Sequence, residues 1–353
     1  MTPLSLAVHG FRCFESFTVD LPAVTLLIGP NATGKTSLLE ALHYLALGRS
    51  YRTATDRELL HWGATTTRVV GSLGDTLTLE RAFELRGETL TKQVKYNSQV
   101  LSGVASLGKI HVVLFAPELV DLLTGPPRER RRYLDAVLSG LDLTYAPTLV
   151  RYRHALKQRN ALCAQRGAQE GALYDVWEAQ LVHEGRALIA KRAAFVAFLM
   201  ELIGDAYGRI AGERTRSITL RYQSAVKELD RYEELLVASR SRDALLGATS
   251  VGPHRDDLIV QIDGRPAATA SSRGEQRSLL LALKAAELAF VDARTDDQPV
   301  ILLLDDMFSE LDEARSQALG SLVKDHQTVI TATDVATIPV SLRDGAAELR
   351  TAV

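Results

Sequence analysis

The sequence predicts an α/β chain in which a parallel sheet covered by helices is joined to an antiparallel β meander and interrupted by an inserted, mainly helical lobe. Three observations carry this. Residues 24–28 and 300–304 are continuous apolar runs of strand length, bounded by turn residues, as expected of strands buried on both faces. Residues 69–100 alternate apolar with polar and carry turn signals at Gly74-Asp75, Arg86-Gly87 and Asn97. Residues 125–240 are charged, show i, i+3/i+4 apolar spacing and read without strand signals.

In chain order, residues 4–8 and the alternation around Phe17 and Val19 read as two strands ahead of 24–28. A glycine-rich turn follows, and then Leu38, Leu39, Leu42, Leu45 and Leu47 supply an apolar helical face that ends near Gly48. Residues 112–115 form a short buried-type strand that stops at Ala116-Pro117, and Pro126-Pro127 opens the helical stretch. There Trp177, Leu181 and Leu188, then Phe195, Leu199, Leu202 and Ile203, recur at helical spacing, without the sustained heptads of a long coiled coil. Beyond Ser250 the α/β pattern resumes with 258–262, a turn at Asp263-Gly264, and a helix from Glu275 through Leu279, Leu280, Leu283 and Leu288. Pro299 precedes the strand 300–304, and 329–330 follows at the spacing of one more crossover helix. The expected organisation is therefore one sheet domain, residues 1–124 and 246–353, interrupted by a lobe at 125–245.

Composition narrows the class. At 353 residues the chain can bury a large core, and 46% hydrophobic residues with a net charge of −2 exclude a disordered chain. Two cysteines, Cys13 and Cys163, cannot build a disulfide framework, and the N-terminus lacks a secretory pattern, so a reducing cytoplasm is expected. No apolar run approaches the roughly 20 residues that cross a bilayer, so no membrane role is expected. The near-neutral total hides a polarity: residues 125–240 hold 19 Lys and Arg against 14 Asp and Glu, a balance of +5, which leaves −7 for the rest. Arg128, Arg130, Arg131 and Arg132 are the sharpest concentration, with Arg151, Arg153, Lys157 and Arg159 beyond them. They read either as a solvated helix face or as a DNA-binding patch.

Four segments carry chemistry. Gly29-Pro30-Asn31-Ala32-Thr33-Gly34-Lys35-Thr36 fits the phosphate-binding loop, directly after an apolar strand and before an apolar helix. In such a loop the backbone N–H groups of Gly29, Asn31, Ala32, Thr33 and Gly34 point at phosphate oxygens, Lys35 neutralises the β and γ phosphates, and the Thr36 hydroxyl can ligate Mg2+. Asp305 and Asp306 close the strongest buried strand. The first carboxylate would complete the Mg2+ shell and the second would orient or deprotonate an attacking water, whereas taken alone the pair reads as a helix-capping turn. Ser272 with Glu275 forms a capping box ahead of an apolar helix, and the same N-terminus, with Gly274, can receive a γ phosphate. Ser309-Glu310-Leu311-Asp312 is by itself a further capping turn.

Taken in order, the strand ending in Phe11-Arg12-Cys13-Phe14, the loop with Asn31, the Ser272-Arg273-Gly274-Glu275-Gln276 segment, the Asp305-Asp306 strand end and Ser309–Asp312 resemble the head of ABC-type ATPases of the SMC class. Leu114-Phe115-Ala116-Pro117-Glu118, with Gly125 and Arg130-Arg131, and Val251-Gly252-Pro253-His254-Arg255-Asp256-Asp257 are similar to the hallmarks of the RecF family of bacterial recombination mediators. The likeness covers essentially the whole chain. It implies an ABC-ATPase-like head and an ATP- and Mg2+-dependent DNA-binding clamp, with weak DNA-dependent ATP hydrolysis as a switch. It also implies a head-to-head homodimer in which Lys35, Thr36, Asp305 and Asp306 of one subunit face Ser272 and Gly274 of the other across ATP. DNA with gaps or single-strand/double-strand junctions, RecO and RecR, and a role in RecA loading, are the partners and process implied. Arg255 is a DNA-contact candidate beside its plainer reading as a partner of Asp256 and Asp257.

The sequence departs from the pattern in places. Ala32 stands where related loops often have Gly, Arg273 replaces the first glycine of the usual signature, and Asp306 stands where transporter-type ATPases have Glu. No histidine follows 329–330, where Thr331, Thr333 and Asp334 lie, and Phe115–Glu118 takes the place of a Q-loop glutamine. Alternatives are the ATP-binding subunit of a transporter, another SMC-like ATPase, a phosphate-loop GTPase or kinase, and a scaffold that binds nucleotide without hydrolysing it.

Overall fold

The computed structural model describes residues 4–74, 76–165, 171–212, 216–295 and 298–350. They divide into two compact units: Met1–Val120 with Ile203–Arg216 and Ser272–Val353, and Asp121–Leu202 with Ser217–Ser271.

The first unit contains two sheets. The continuous apolar runs become the parallel sheet, in which Val300–Asp305 lies between His111–Phe115 and Gln327–Ala332, and Val24–Ile28 follows, then Ala347–Arg350. Every residue of Val300–Asp305 and Gln327–Ala332 is buried, so these strands lack alternation because both faces are covered. The alternating stretch becomes the meander Thr66–Leu73, Leu77–Arg86, Thr89–Tyr96 and Gln99–Leu101, antiparallel throughout, to which Leu4–Phe11 and Phe14–Leu21 add at one edge. The helix Lys35–Leu47 supplies Leu38, Leu39, Leu42 and Leu45 to a core shared with Leu4, Leu6 and Val8 of the meander sheet and with Leu27, Ile301, Leu303 and Val329 of the parallel sheet. It ends at Gly48, whose φ of 66° is the left-handed cap that glycine takes most readily. Sheet, helix and sheet thus hold the loop ahead of Lys35 from both sides.

The second unit is built on the helices Pro127–Leu141, Tyr145–Ala164 and Tyr232–Leu246 and on most of Gly171–Ala211. Leu181, Leu188, Phe195 and Leu199 of the last are fully buried, as their spacing suggests. Two sequence expectations need correction here. Ile218–Gln223 is a strand inside the stretch read as free of strands; Ile218, Leu220 and Tyr222 do alternate with polar residues, but the run is short and set among helices. Its partner is Asp257–Ile262, antiparallel, so that strand belongs to the three-stranded sheet of this unit and not to the parallel sheet. Their pairing carries residues 246–271 into the second unit, and the units divide at 120/121 and 271/272, with Ile203–Arg216 in the first, where the sequence reading sets the lobe at 125–245.

A polar network fastens this unit internally. Arg159 is fully buried and donates to Glu178 (3.0 Å), Asp243 (2.7 Å), Thr249 Oγ1 (3.0 Å) and the Leu236 carbonyl (3.1 Å). Arg192, also buried, donates to Asp135 (2.7 Å), the Tyr145 hydroxyl (2.9 Å) and the Pro253 carbonyl (2.8 Å). Gly252 sits at φ 133°, and a Cβ there would lie 2.4 and 2.6 Å from the Tyr232 and Tyr152 hydroxyls, which explains glycine in that segment. Removing one partner of a buried ion network strands the others, so Arg159→Met is expected to cost about 3–5 kcal/mol. Thermal or urea unfolding checks this; a change under about 0.5 kcal/mol, typical of a surface position, would contradict it.

Candidate functional site

The loop 29–34 leaves the parallel sheet at Ile28 and enters the helix at Lys35. Two of its residues adopt left-handed backbone, Ala32 at φ 67° and Gly34 at φ 87°. Gly34 has a packing reason as well: a Cβ would lie 2.7 Å from the Phe14 ring and 2.9 Å from Cys13 Sγ, so the Arg12-Cys13-Phe14 turn abuts the loop. Arg12 closes the other side of that turn with a two-point ion pair to Glu40 of the loop helix (2.6 and 2.8 Å), and Ser50 also donates to Glu40 (2.5 Å). The Lys35 ammonium curls back to the carbonyls of Gly29 (2.6 Å) and Pro30 (2.7 Å). Burial lowers its pKa, with Asp306 and Asp305 opposing.

Asp305 ends the central strand, 4% exposed. Its Oδ1 accepts from Thr36 Oγ1 (2.9 Å) and Thr331 Oγ1 (2.9 Å), and its Oδ2 from Tyr51 (2.8 Å). Residues 36 and 305, far apart in sequence, thereby meet through hard oxygen atoms. Burial, and then the Asp305 charge, push the Tyr51 hydroxyl's pKa far up, so it remains a donor. Thr331 accepts from the Asp306 N–H (2.9 Å) while donating to Asp305. Asp306 itself turns into left-handed backbone, φ 48°; its carbonyl accepts from Ser309 (2.8 Å), and its buried Oδ1 has no hydrogen-bond partner. Desolvation, with Asp305 adding, raises its pKa above the ordinary carboxylate value.

Ser272 and Gly274 lie at the start of the helix Arg273–Asp292, in the capping box read from sequence: Ser272 Oγ accepts from the Glu275 N–H (3.3 Å) and Glu275 accepts from the Ser272 N–H (2.9 Å). Arg216 also pairs with Glu275 (2.9 Å). This helix is tied to the Ser309–Asp312 segment, through Arg277 to Glu310 (2.8 Å) and through Arg315, whose N–H groups reach Ser278 (2.7 Å) and Asp312. The hydrogen bonds of Ser272 stay within its own helix, so the phosphate loop and the Ser272 helix are two separately organised surfaces. Asp312 caps the helix Glu313–Val323, and Asp334 a short turn. Phe115 pairs beside Leu304, and the Glu118 carboxylate helps raise the Tyr51 pKa.

The arginines of the second unit divide. Arg130 is fixed by a two-point pair with Asp257 (2.7 and 2.9 Å) and by the Gly125 carbonyl (2.8 Å), with 12% of its side chain exposed. Arg131 donates to the Asp256 carbonyl (2.6 Å). Arg128 is exposed and Arg132 half-buried, and both pair with Glu129 (2.9 and 3.1 Å). Arg255, for which Asp256 and Asp257 are the partners expected from sequence, instead donates to the Thr249 carbonyl (3.1 and 3.3 Å). Tyr51, Glu40 and the bridging role of Thr331 escape sequence reasoning, because no spacing rule joins them to Asp305 or Arg12. Among the described residues no group of three or more His, Cys, Asp and Glu could hold a metal by itself, and no helix is long and apolar enough to cross a membrane.

Residues 4–73 match the AAA ATPase domain family. Over 93% of this chain and 92% of the relative, the sequence is 38% identical to the DNA replication and repair protein RecF of Roseiflexus castenholzii; it is 39% identical to that of Symbiobacterium thermophilum over 94% and 91%. A solved structure of the recombination mediator protein RecF-ATP in the RecFOR pathway superposes with a TM-score of 0.86 at 28% identity, over 96% of this chain and 94% of that one. The Smc head domain of Pyrococcus furiosus, at TM-score 0.53 and 14% identity over 99% of this chain and 94% of that one, shares the fold.

Two outcomes are expected from the strained positions. Ala32→Gly is expected to leave the melting temperature unchanged or higher, because left-handed backbone costs an L-residue about 1–2 kcal/mol; a clear loss would contradict it. Asp306→Asn, whose side chain tolerates the same backbone, is expected to raise it. An acid with a raised native pKa holds its proton longer when folded, so its destabilisation sets in as pH rises from the ordinary carboxylate value through the native one. The gain should therefore be full at neutral pH and vanish in acid, as melting of both proteins against pH will show; equal melting at pH 7 would contradict it.

Proposed function

The chain belongs to the RecF family, and from that premise we propose that it is an ATP-dependent DNA-binding recombination mediator, with ATP shared between two heads and hydrolysed slowly as a switch. The carrying observation is the meeting of Thr36, Asp305, Thr331 and Asp306 at the end of one buried strand beside Lys35. Two hydrogen-bonded oxygens from a hydroxyl and a carboxylate suit Mg2+, which takes one or two protein ligands and otherwise water and phosphate oxygens. Thr36 and Asp305 would hold it, and when bound it neutralises charge on the β and γ phosphates.

In this reading Asn31, Ala32, Thr33 and Gly34 offer N–H groups to the phosphates, while the Gly29 N–H, expected from sequence to join them, donates to the Ala332 carbonyl (3.3 Å), and Lys35 exchanges the Gly29 and Pro30 carbonyls for phosphate oxygens. The unpartnered oxygen of Asp306 is the acceptor for a proton of the attacking water, and its raised pKa gives it the basicity for that task. Tyr51 and Thr331 fix the Asp305 carboxylate so that Thr36 is presented in one orientation. Ser272 and Gly274 would meet the γ phosphate from the second subunit, since the Ser272 helix is organised apart from the loop and has its own rigid ties to Glu310 and Asp312. ATP then joins two surfaces that hydrolysis releases. We place DNA contacts on Arg128, Arg131 and Arg132, and assign Arg130 and Arg255 to holding the segment 249–257. Gapped or junction DNA as the target, RecO and RecR as partners, RecA loading as the outcome, and the cytoplasm as the location follow from family membership and complete the reading.

Sedimentation with and without ATP tests the shared site: an ATP-dependent dimer is expected for the wild type and for Asp306→Asn, and a monomer for Ser272→Arg. Wild-type protein that stays monomeric with ATP would sink the proposal. Turnover of Asp306→Asn is expected to fall by about 10²–10⁴-fold. In the wild type, turnover needs Asp306 ionised, so it should decline as pH falls through a value above the ordinary aspartate range; turnover unchanged in the Asn variant would remove Asp306 from the chemistry.

A further inference from the structure

A small cavity in the second unit is lined by Arg128, Arg131, Arg132, Arg153 and Arg192, together with Asp135. Its volume is about 220 Å³. That is below the ~300–1,000 Å³ of pockets that enclose a drug-sized ligand or a nucleotide, and about seven times the ~30 Å³ share of one liquid water, so it has room for one small hydrated group. Tyr152 and His254 form part of the wall. The ring Nε2 faces the Thr249 carbonyl (2.9 Å) and must donate to it, leaving Nδ1 to accept from the Tyr152 hydroxyl (2.7 Å), so the imidazole is neutral and both hydrogen bonds are committed. Burial holds His254 down at about 4, with Arg255 and Arg131 adding, so it stays neutral across the physiological range.

The charge count favours an anion. Asp135 is shared by Arg153 (3.2 Å) and Arg192 (2.7 Å), and Glu129 by Arg128 and Arg132. Arg131 donates to a neutral carbonyl; Asp257 behind it is paired by Arg130, whereas Asp256 accepts from the neutral Tyr222 hydroxyl and counts against the arginines. Five guanidiniums thus stand against three carboxylates, those of Asp135, Glu129 and Asp256. Burial lowers the Arg131 pKa, and the Arg192 charge adds to the effect, as expected where positive charges crowd.

We propose that this cavity is a receptor for a phosphate monoester, and that on DNA it takes the terminal phosphate of a strand. The second half of the inference rests on the DNA-binding reading given above. An internal phosphodiester carries one charge and is flanked by sugar on both sides, so it lies along a surface. A terminal monoester has a single attachment and carries about −1.5 to −2 near neutral pH, which suits a recess with excess guanidinium charge. Arg153, 60% exposed, stands as the adjustable contact, while the buried Arg192, its N–H groups committed to Asp135, Tyr145 and Pro253, adds charge from beneath the surface.

Fluorescence anisotropy of the full chain with ATP, on gapped duplexes whose strand termini carry either phosphates or hydroxyls, tests this, with inorganic phosphate as the free competitor. The phosphate-ended duplex is expected to bind about tenfold tighter or more, the factor that one charge-assisted hydrogen bond supplies. Arg153→Gln, at an exposed position, and Leu156→Glu, which places a negative charge at the cavity, should erase that preference and leave binding of the hydroxyl-ended duplex. Equal, tight binding of both duplexes would overturn the inference and leave the DNA-binding reading standing. Binding of neither would overturn both. A preference undiminished in both variants would place the phosphate elsewhere, and saturation by inorganic phosphate without discrimination between termini would overturn the DNA end as its source.

Discussion

The Asp305 carboxylate is the constraint on which the site depends. A charge at the end of a wholly buried strand persists only if its oxygens are satisfied, and three hydroxyls do this, from Thr36, Tyr51 and Thr331. Each donor arrives on a different piece of chain: the loop helix, the segment after it, and the neighbouring strand Gln327–Ala332. The carboxylate therefore fixes where the phosphate loop stands relative to the parallel sheet. Thr331 also receives the Asp306 N–H, and Asp306 adopts left-handed backbone with its Oδ1 buried and without a hydrogen-bond partner. Strain and an unsatisfied oxygen thus collect one residue beyond the satisfied one, where a reactive group is useful.

The second unit solves a different problem with the same chemistry. Arg159 and Arg192 are buried cations whose attraction to Glu178, Asp243 and Asp135 offsets their loss of water; such pairs add little net stability, but they admit few alternative arrangements. Nearly every residue of 251–257 is engaged in this unit: Pro253 by Arg192, His254 by Tyr152, Asp256 by Tyr222 and Arg131, Asp257 by Arg130. A family hallmark is in this case a scaffold that holds arginines in place.

Much of this was legible in the sequence, and for a physical reason. Strands covered on both faces must be continuously apolar, and a phosphate loop must follow one of them, so 24–36 and 300–306 could be read together. The capping box at Ser272 follows from its own spacing. What could not be read was pairing across distance: Tyr51 to Asp305 and Arg12 to Glu40 depend on the fold having brought them together. Arg130 looked like its neighbours because sequence does not distinguish a guanidinium aimed at solvent from one aimed at Asp257. The strand Asp257–Ile262 was recognisable, but its neighbour was not, since a half-buried strand looks the same in either sheet.

Whether two chains complete one nucleotide site is tested most directly by mixing two variants. Lys35→Ala and Ser272→Arg proteins would each be inactive alone, whereas a dimer of one with the other keeps one intact site and one that carries both substitutions. Turnover, absent from each protein by itself, should then reappear in the mixture, at no more than about half the wild-type value. No recovery, with both variants folded and binding one another, would contradict a site shared between subunits.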